Sequence, residues 1–285
     1  MDKVFDFIDK SSAIYVKELQ ALLRQPSISA CNDGIRESAD IVKNLLHEIS
    51  RNVEVIQLHQ DSAPLLYAEI SGETEKTVLF YNYYNVRPPG SLGEWAYQPF
   101  GATIDGGKIY ARGAADNKGD LVARMKAVEA FIKIREVPPL RVKFIVEGEA
   151  EIGSPTLMSV ASHRPEMFHA DVCILAKGSR DNEGRLELTL TDLRHLRDHD
   201  SESGIRDAVC EAVHEFYQRN PVVLFGSTEL SPMIQIVSQK GIPAVSFGIA
   251  NQDSRAHDSD ENINTADFVD GIKLTAIIMQ KLSGR

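Results

Sequence analysis

Arg112-Gly113-Ala114-Ala115-Asp116-Asn117-Lys118-Gly119 is the stretch on which the fold turns. It ends where helical spacing of apolar residues begins, so the pattern predicts a long helix over Gly119–Ile134, followed by a buried strand over Arg141–Val146. Upstream, helical periodicity covers Val4–Leu23 and Ile35–Ile49, and short β-rich runs at Val53–Leu58, Leu65–Ile70 and Thr77–Tyr81 are separated by turn residues. Downstream, Asp171–Leu175, Leu186–Leu190 and Ala244–Phe247 read as strands, with helices over Ile205–Arg219 and Ala266–Leu282. Strands that alternate with helices in this way build an α/β layer structure around a mostly parallel sheet.

Composition narrows the function. A chain of 285 residues with 43% hydrophobic content can bury one large core. Its formal charge of −10 repels phosphate backbones and anionic lipid, which argues against nucleic acid and membrane surfaces as partners. The first residues, MDKVFDFIDK, are acidic and amphipathic rather than basic and then apolar, and no stretch is long and apolar enough to span a bilayer. Cys31, Cys173 and Cys210 are odd in number and widely spaced, which suits a reducing cytoplasm better than a disulfide framework. No phosphate-loop pattern accompanies Gly106-Gly107 or Lys118-Gly119, and neither Ser154 nor Ser227 sits in a nucleophile elbow.

Four segments at strand–loop junctions concentrate metal-binding residue types: Tyr81 to Val86, Arg112 to Gly119, Glu147 to Ser154, and Ser254 to His257. Ligands in open α/β sheets bind beyond the carboxyl ends of strands. Taken singly, Asp116 is an N-cap, Glu151 a solvated acid and His257 a surface histidine; only their combination raises a metal reading. Together the segments resemble the zinc-dependent exopeptidase and deacylase family of carnosinase-like dipeptidases, aminoacylases, acetylornithine deacetylase and succinyl-diaminopimelate desuccinylase. That resemblance implies a three-layer α/β/α catalytic domain over residues 1–285 and a two-zinc site. Within it, Asp116 falls on the bridging ligand, and Glu151 and His257 fall on the two further ligands of one metal.

The departures bear on activity. Tyr83 stands where the family places a zinc-binding histidine, and Asn85 where an aspartate orients that histidine. Ala150 replaces the glutamate that acts as general base, and Glu149 is a nearby substitute carboxylate. Ala176 replaces the remaining carboxylate ligand of the metal that Tyr83 would serve, and Lys177 follows it. One metal position is dismantled and the other retained, so at most one Zn²⁺ is expected, at Asp116, Glu151 and His257. The competing reading of those three residues is a metal-free hydrogen-bonded cluster with His257 protonated.

The family also inserts a lid domain that carries its dimer contact. Here residues 191–204 form only a short linker between Leu186–Leu190 and the following helix. The stretch Gly226 to Met233 resembles the family's pocket loop, which makes Ser227, Met233 and Arg255 candidate pocket residues. The expectation is a catalytically impaired binding or assembly module, monomeric, with an unknown protein partner or a small amino-acid-like ligand. The alternative is a mononuclear hydrolase of dipeptides or N-acyl amino acids.

Overall fold

The computed structural model describes residues 1–176, 178, 180–190, 199–226 and 231–284. Helices α1 (Asp2–Arg24) and α2 (Ile35–His47) open the chain, followed by β1 (Val53–Ile56), β2 (Leu65–Ile70) and β3 (Thr77–Tyr83). Next come β4 (Thr103–Asp105), β5 (Lys108–Tyr110), α3 (Gly119–Arg135), β6 (Arg141–Glu147), α4 (Pro155–His163) and β7 (Val172–Ala176). The last third holds β8 (Glu187–Leu190), α5 (His199–Tyr217), β9 (Val222–Phe225), α6 (Pro232–Gln239), β10 (Ala244–Phe247), β11 (Asn262–Asn264) and α7 (Thr265–Leu282).

Eight strands form one twisted sheet in the order β1-β2-β6-β3-β7-β10-β8-β9. The four central strands β6, β3, β7 and β10 run parallel. Their residues are almost wholly buried, as the continuous apolar runs Thr77–Tyr83 and Val172–Ala176 require for strands covered on both faces. One apolar cluster packs α1, α2, α3, α5 and α7 on one face, with Leu19, Leu22, Phe131, Phe144, Phe268 and Ile278 among its buried members. A second, smaller cluster packs α4 and α6 on the other face, around Leu79, Leu157, Phe168 and Ile236. The result is a three-layer α/β/α domain with a mostly parallel sheet. No described helix is long and apolar enough to cross a membrane.

Most element boundaries fall within two residues of the sequence reading. The helix expected from Ile205 starts instead at His199, inside the stretch read as a linker. Residues 191–198 of that stretch lie outside the described residues. The reading missed the small sheet β11-β5-β4, the helices α4 and α6, and β9. Each is short, so none offers enough periods of a pattern to stand out.

Candidate metal centre

Parallel strands β3, β6 and β7 end side by side, and their carboxyl ends deliver the loops that build the site. Tyr83 closes β3, Glu151 lies in the turn after β6, and Ala176 closes β7. Asp116 sits between β5 and α3, in the quoted loop. It is no N-cap: its backbone is extended inside that turn, and α3 has no side-chain cap.

The loop is held by a residue that carries no signal in the amino-acid pattern. Glu261, fully buried, accepts hydrogen bonds at Oε2 from the backbone N–H of Gly113 (3.0 Å) and at Oε1 from those of Ala115 and Asp116 (3.0 Å each). Arg112 Nη1 pairs with the same carboxylate at 2.7 Å, while its Nη2 donates to the carbonyl of His257 at 3.0 Å. Below the loop, Lys118 Nζ donates to the carbonyls of Leu22 (2.9 Å) and Gln25 (2.8 Å) at the end of α1, and burial lowers its pKa to about 7. Asn117 accepts from Asn82 Nδ2 at 2.8 Å and donates to the Ala176 carbonyl at 2.9 Å, which stitches the loop to the ends of β3 and β7. These contacts fix where the Asp116 carboxylate points.

Asp116, Glu151 and His257 converge, each with one candidate ligand atom within 4.8 Å of the others. His257 Nε2 lies 2.7 Å from Asp116 Oδ2 and 3.6 Å from Glu151 Oε1. This nitrogen is shielded from solvent yet has no aligned hydrogen-bond partner. The contact with Asp116, then that with Glu151, pushes the His257 pKa up to about 9 against the effect of burial. Burial raises Glu151, but His257 and Arg87 together hold it below its ordinary range. A buried imidazole nitrogen aimed between two carboxylates fits a ligand set for one Zn²⁺, which takes Asp, Glu and His donors and leaves a fourth position open.

The partner position does not fit a metal. Tyr83 donates its phenolic hydrogen to Asp116 Oδ1, the oxygen that a second ion would need. Burial, then the Asp116 charge, raises the Tyr83 pKa well above its ordinary value, so the phenol stays neutral and is a poor zinc ligand. Ala176 offers no side-chain donor, and its carbonyl is taken by Asn117. Asn85 is turned to other work: its Nδ2 donates to Ser29 Oγ at 2.9 Å and its Oδ1 accepts from Ala150 N at 3.3 Å.

Glu149 is a correction to the sequence reading. Its carboxylate points inward, where Oε1 accepts from Ala63 N at 3.0 Å and Oε2 from Thr156 N at 2.8 Å, so it braces the turn rather than facing the cluster. Met233 is likewise wholly buried in the second apolar cluster instead of lining a pocket. Arg255 is exposed, 3.7 Å from Asp260. Ser227 and Lys177 lie outside the described residues. Tyr81 and Tyr84 are core residues, with Tyr81 hydrogen-bonded to Glu147 and Tyr84 to the Pro64 carbonyl at 2.7 Å.

Arg87 was missed altogether. Its Nε lies 2.6 Å from Glu151 Oε2, so a guanidinium already neutralises the third ligand. Its place two residues after Asn85, directly following the first of the four segments, was the available signal. Asp116 and Glu151 are therefore met within the chain by His257, by the Arg87 guanidinium and by the phenolic hydrogen of Tyr83.

Residues 84–281 match the model of "Peptidase family M20/M25/M40". The chain is 29% identical over 187 residues to mouse Beta-Ala-His dipeptidase, an alignment covering 60% of this chain and 38% of that one. It is 30% identical over 190 residues to the Cys-Gly metallodipeptidase dug1 of Schizosaccharomyces pombe (61% and 40% covered). It is 31% identical over 171 residues to the succinyl-diaminopimelate desuccinylase of Blochmanniella floridana (58% and 43%). The chain thus spans about two fifths of the length of the curated relatives it matches. Among solved structures, an M20 family metallo-carboxypeptidase from Sulfolobus solfataricus superposes with a TM-score of 0.84 at 21% identity, covering 95% of this chain and 99% of that one. Human carnosine dipeptidase 1 gives 0.81 at 16% identity, with both chains fully covered. Through the family match over residues 84–281, with the fold and the loop positions in agreement, the chain belongs to peptidase family M20/M25/M40.

Proposed function

We propose that this chain is a non-hydrolysing relative of these metallopeptidases, a binding or assembly module that holds at most one metal ion through Asp116, Glu151 and His257. The observation that carries this reading is the hydrogen bond from Tyr83 to Asp116, which gives the bridging carboxylate's second oxygen to a phenol. Two further features support it. Ala150 has no group to accept a proton from water, and both oxygens of Glu149 are engaged by backbone amides. Only residues 191–198 separate β8 from α5, which suits a chain without the family's lid. The three unpaired cysteines fit a cytoplasmic setting.

A single zinc at the triad would supply Lewis-acid polarisation of a carboxylate or amide oxygen. Around it, Arg87 offers a guanidinium suited to a carboxylate of a small amino-acid-like ligand, and Tyr83 holds its proton toward Asp116. A second reading, a mononuclear hydrolase of dipeptides or N-acyl amino acids, is favoured by the three convergent ligands, but its base would have to come from a residue other than Glu149.

Elemental analysis after dialysis, with zinc titrated back calorimetrically into wild type and His257→Ala, tests the metal reading. At most one zinc per chain, lost in the variant, is expected. Assays on dipeptides and N-acyl amino acids should show no turnover above background; robust hydrolysis that vanishes in Asp116→Ala would overturn the proposal.

A further inference from the structure

The two ends of the large sheet are finished differently. At one end β1 carries Glu54, which is bound by the guanidinium of Arg164, so that edge presents charge. At the other end β9 reads Val222-Val223-Leu224-Phe225 between Pro221 and Gly226, with no charge at all. Leu224 is 44% exposed and Phe225 60%, the latter among the largest exposures of any big apolar side chain described. An uncharged, exposed edge strand is a template for another strand unless something blocks it.

The register on β9 says which strand fits. β9 pairs with β8 in parallel; Val222 N donates to the Leu186 carbonyl at 2.9 Å and Gly226 N to the Leu190 carbonyl at 3.0 Å. In a parallel ladder alternate residues point both their N–H and C=O to the same side. Val222, Leu224 and Gly226 therefore face β8, and Val223 and Phe225 turn a donor and an acceptor each to the edge at which, among the described residues, no further strand pairs. Two such residues flanking Leu224 are self-complementary under a two-fold axis. Antiparallel pairing puts Val223 opposite Phe225 of the second copy and Phe225 opposite its Val223, which makes four backbone hydrogen bonds. Leu224 then meets its own counterpart on the axis as a non-hydrogen-bonded pair.

We infer that β9 is a self-association edge, at which two copies of this chain join their sheets antiparallel about Leu224. Side-chain chemistry agrees with the backbone. Val223 and Phe225 make cross-strand aromatic–β-branched pairs on the α5 side, and the uncharged segment lets two chains of charge −10 approach without like charges meeting at the contact. An edge of four residues buries well under the roughly 1,200 Å² of a standard interface, so the dimer is weak and concentration-dependent. The inference stands apart from the metal centre and holds whether or not zinc binds.

Sedimentation velocity over a concentration series, extending into the high micromolar range, should show reversible dimerisation in the wild type and its loss in Leu224→Lys and Phe225→Lys. Geometry gives a second, independent readout in a Cys31→Ser background. Non-hydrogen-bonded pairs bring Cα atoms to about 4.5 Å, inside the span a disulfide bridges. Leu224→Cys should thus form an intermolecular disulfide on mild oxidation. Val222→Cys should not, because its counterpart lies roughly 14 Å away at the strand rise of about 3.4 Å per residue. A protein that stays monomeric throughout, a dimer that survives both lysine variants, or equal cross-linking at the two positions would overturn the inference.

Discussion

Removing the charge of Arg87 should tighten zinc binding. In the structure its Nε sits 2.6 Å from Glu151 Oε2, with the Arg87 side chain 53% exposed and that of Glu151 only 13%. A metal at Glu151 has to displace or share that carboxylate. Fully exposed ion pairs contribute at most about 1 kcal/mol, and the short contact to a mostly buried carboxylate places this one at about 1–2 kcal/mol. At 1.4 kcal/mol per tenfold, Arg87→Gln should lower the zinc dissociation constant by about 5- to 30-fold. The assay is isothermal titration of zinc into metal-stripped wild type and variant at one pH and low ionic strength, repeated at high salt. Salt screens the guanidinium in the wild type, so the difference should shrink there. Equal or weaker binding by Arg87→Gln would refute the reasoning, because the guanidinium would then not compete for the carboxylate.

Three further outcomes are expected. Glu261→Gln leaves Arg112 without its buried anion and deprives the Asp116 loop of a charged acceptor, so thermal or urea denaturation should show a loss of about 3–5 kcal/mol. Burial raises the pKa of Glu147 to about 7, against the lowering effect of its hydrogen bonds from Tyr81 and Ser154. Between about 4.5 and 7 the folded protein keeps a proton that the unfolded chain releases, so stability falls as pH rises through that window, by up to roughly 3 kcal/mol. Glu147→Gln should flatten that slope in denaturation curves taken across the window; an unchanged slope would remove Glu147 as its source. Finally, Tyr83→His combined with Ala176→Asp should raise metal stoichiometry from at most one to two zinc ions per chain by elemental analysis, since it frees Asp116 Oδ1 and adds two donors.

The long amphipathic helices were legible in the sequence because one pattern persists over many residues, as in Asp2–Arg24 and Ile35–His47. The three candidate ligands were legible because each sits in a short motif at a strand end. What sequence could not give was direction. Glu149 and Glu151 are two residues apart in one turn, yet one is fastened inward by Ala63 and Thr156 and the other faces His257. Arg87 and Glu261 were hidden for the same reason. An arginine and a glutamate in polar loops look solvated until a contact more than 60 residues away in the chain gives each a partner. β9 passed unnoticed because its four residues are too few to show alternation.

The way Glu261 and Arg112 tie the Asp116 loop to His257 divides the centre's mechanical freedom unequally. One carboxylate holds the amides of residues 113, 115 and 116, and one guanidinium holds both that carboxylate and the His257 carbonyl, so Asp116 and His257 belong to a single rigid body. Glu151 stands outside it, on a turn bounded by Gly148, where a Cβ would meet Tyr84 Oη at 2.3 Å, and Gly153, whose φ is +95°. That turn is anchored separately, through Glu149 to the amides of Ala63 and Thr156, so an ion held at this centre would join two independently anchored parts of the chain.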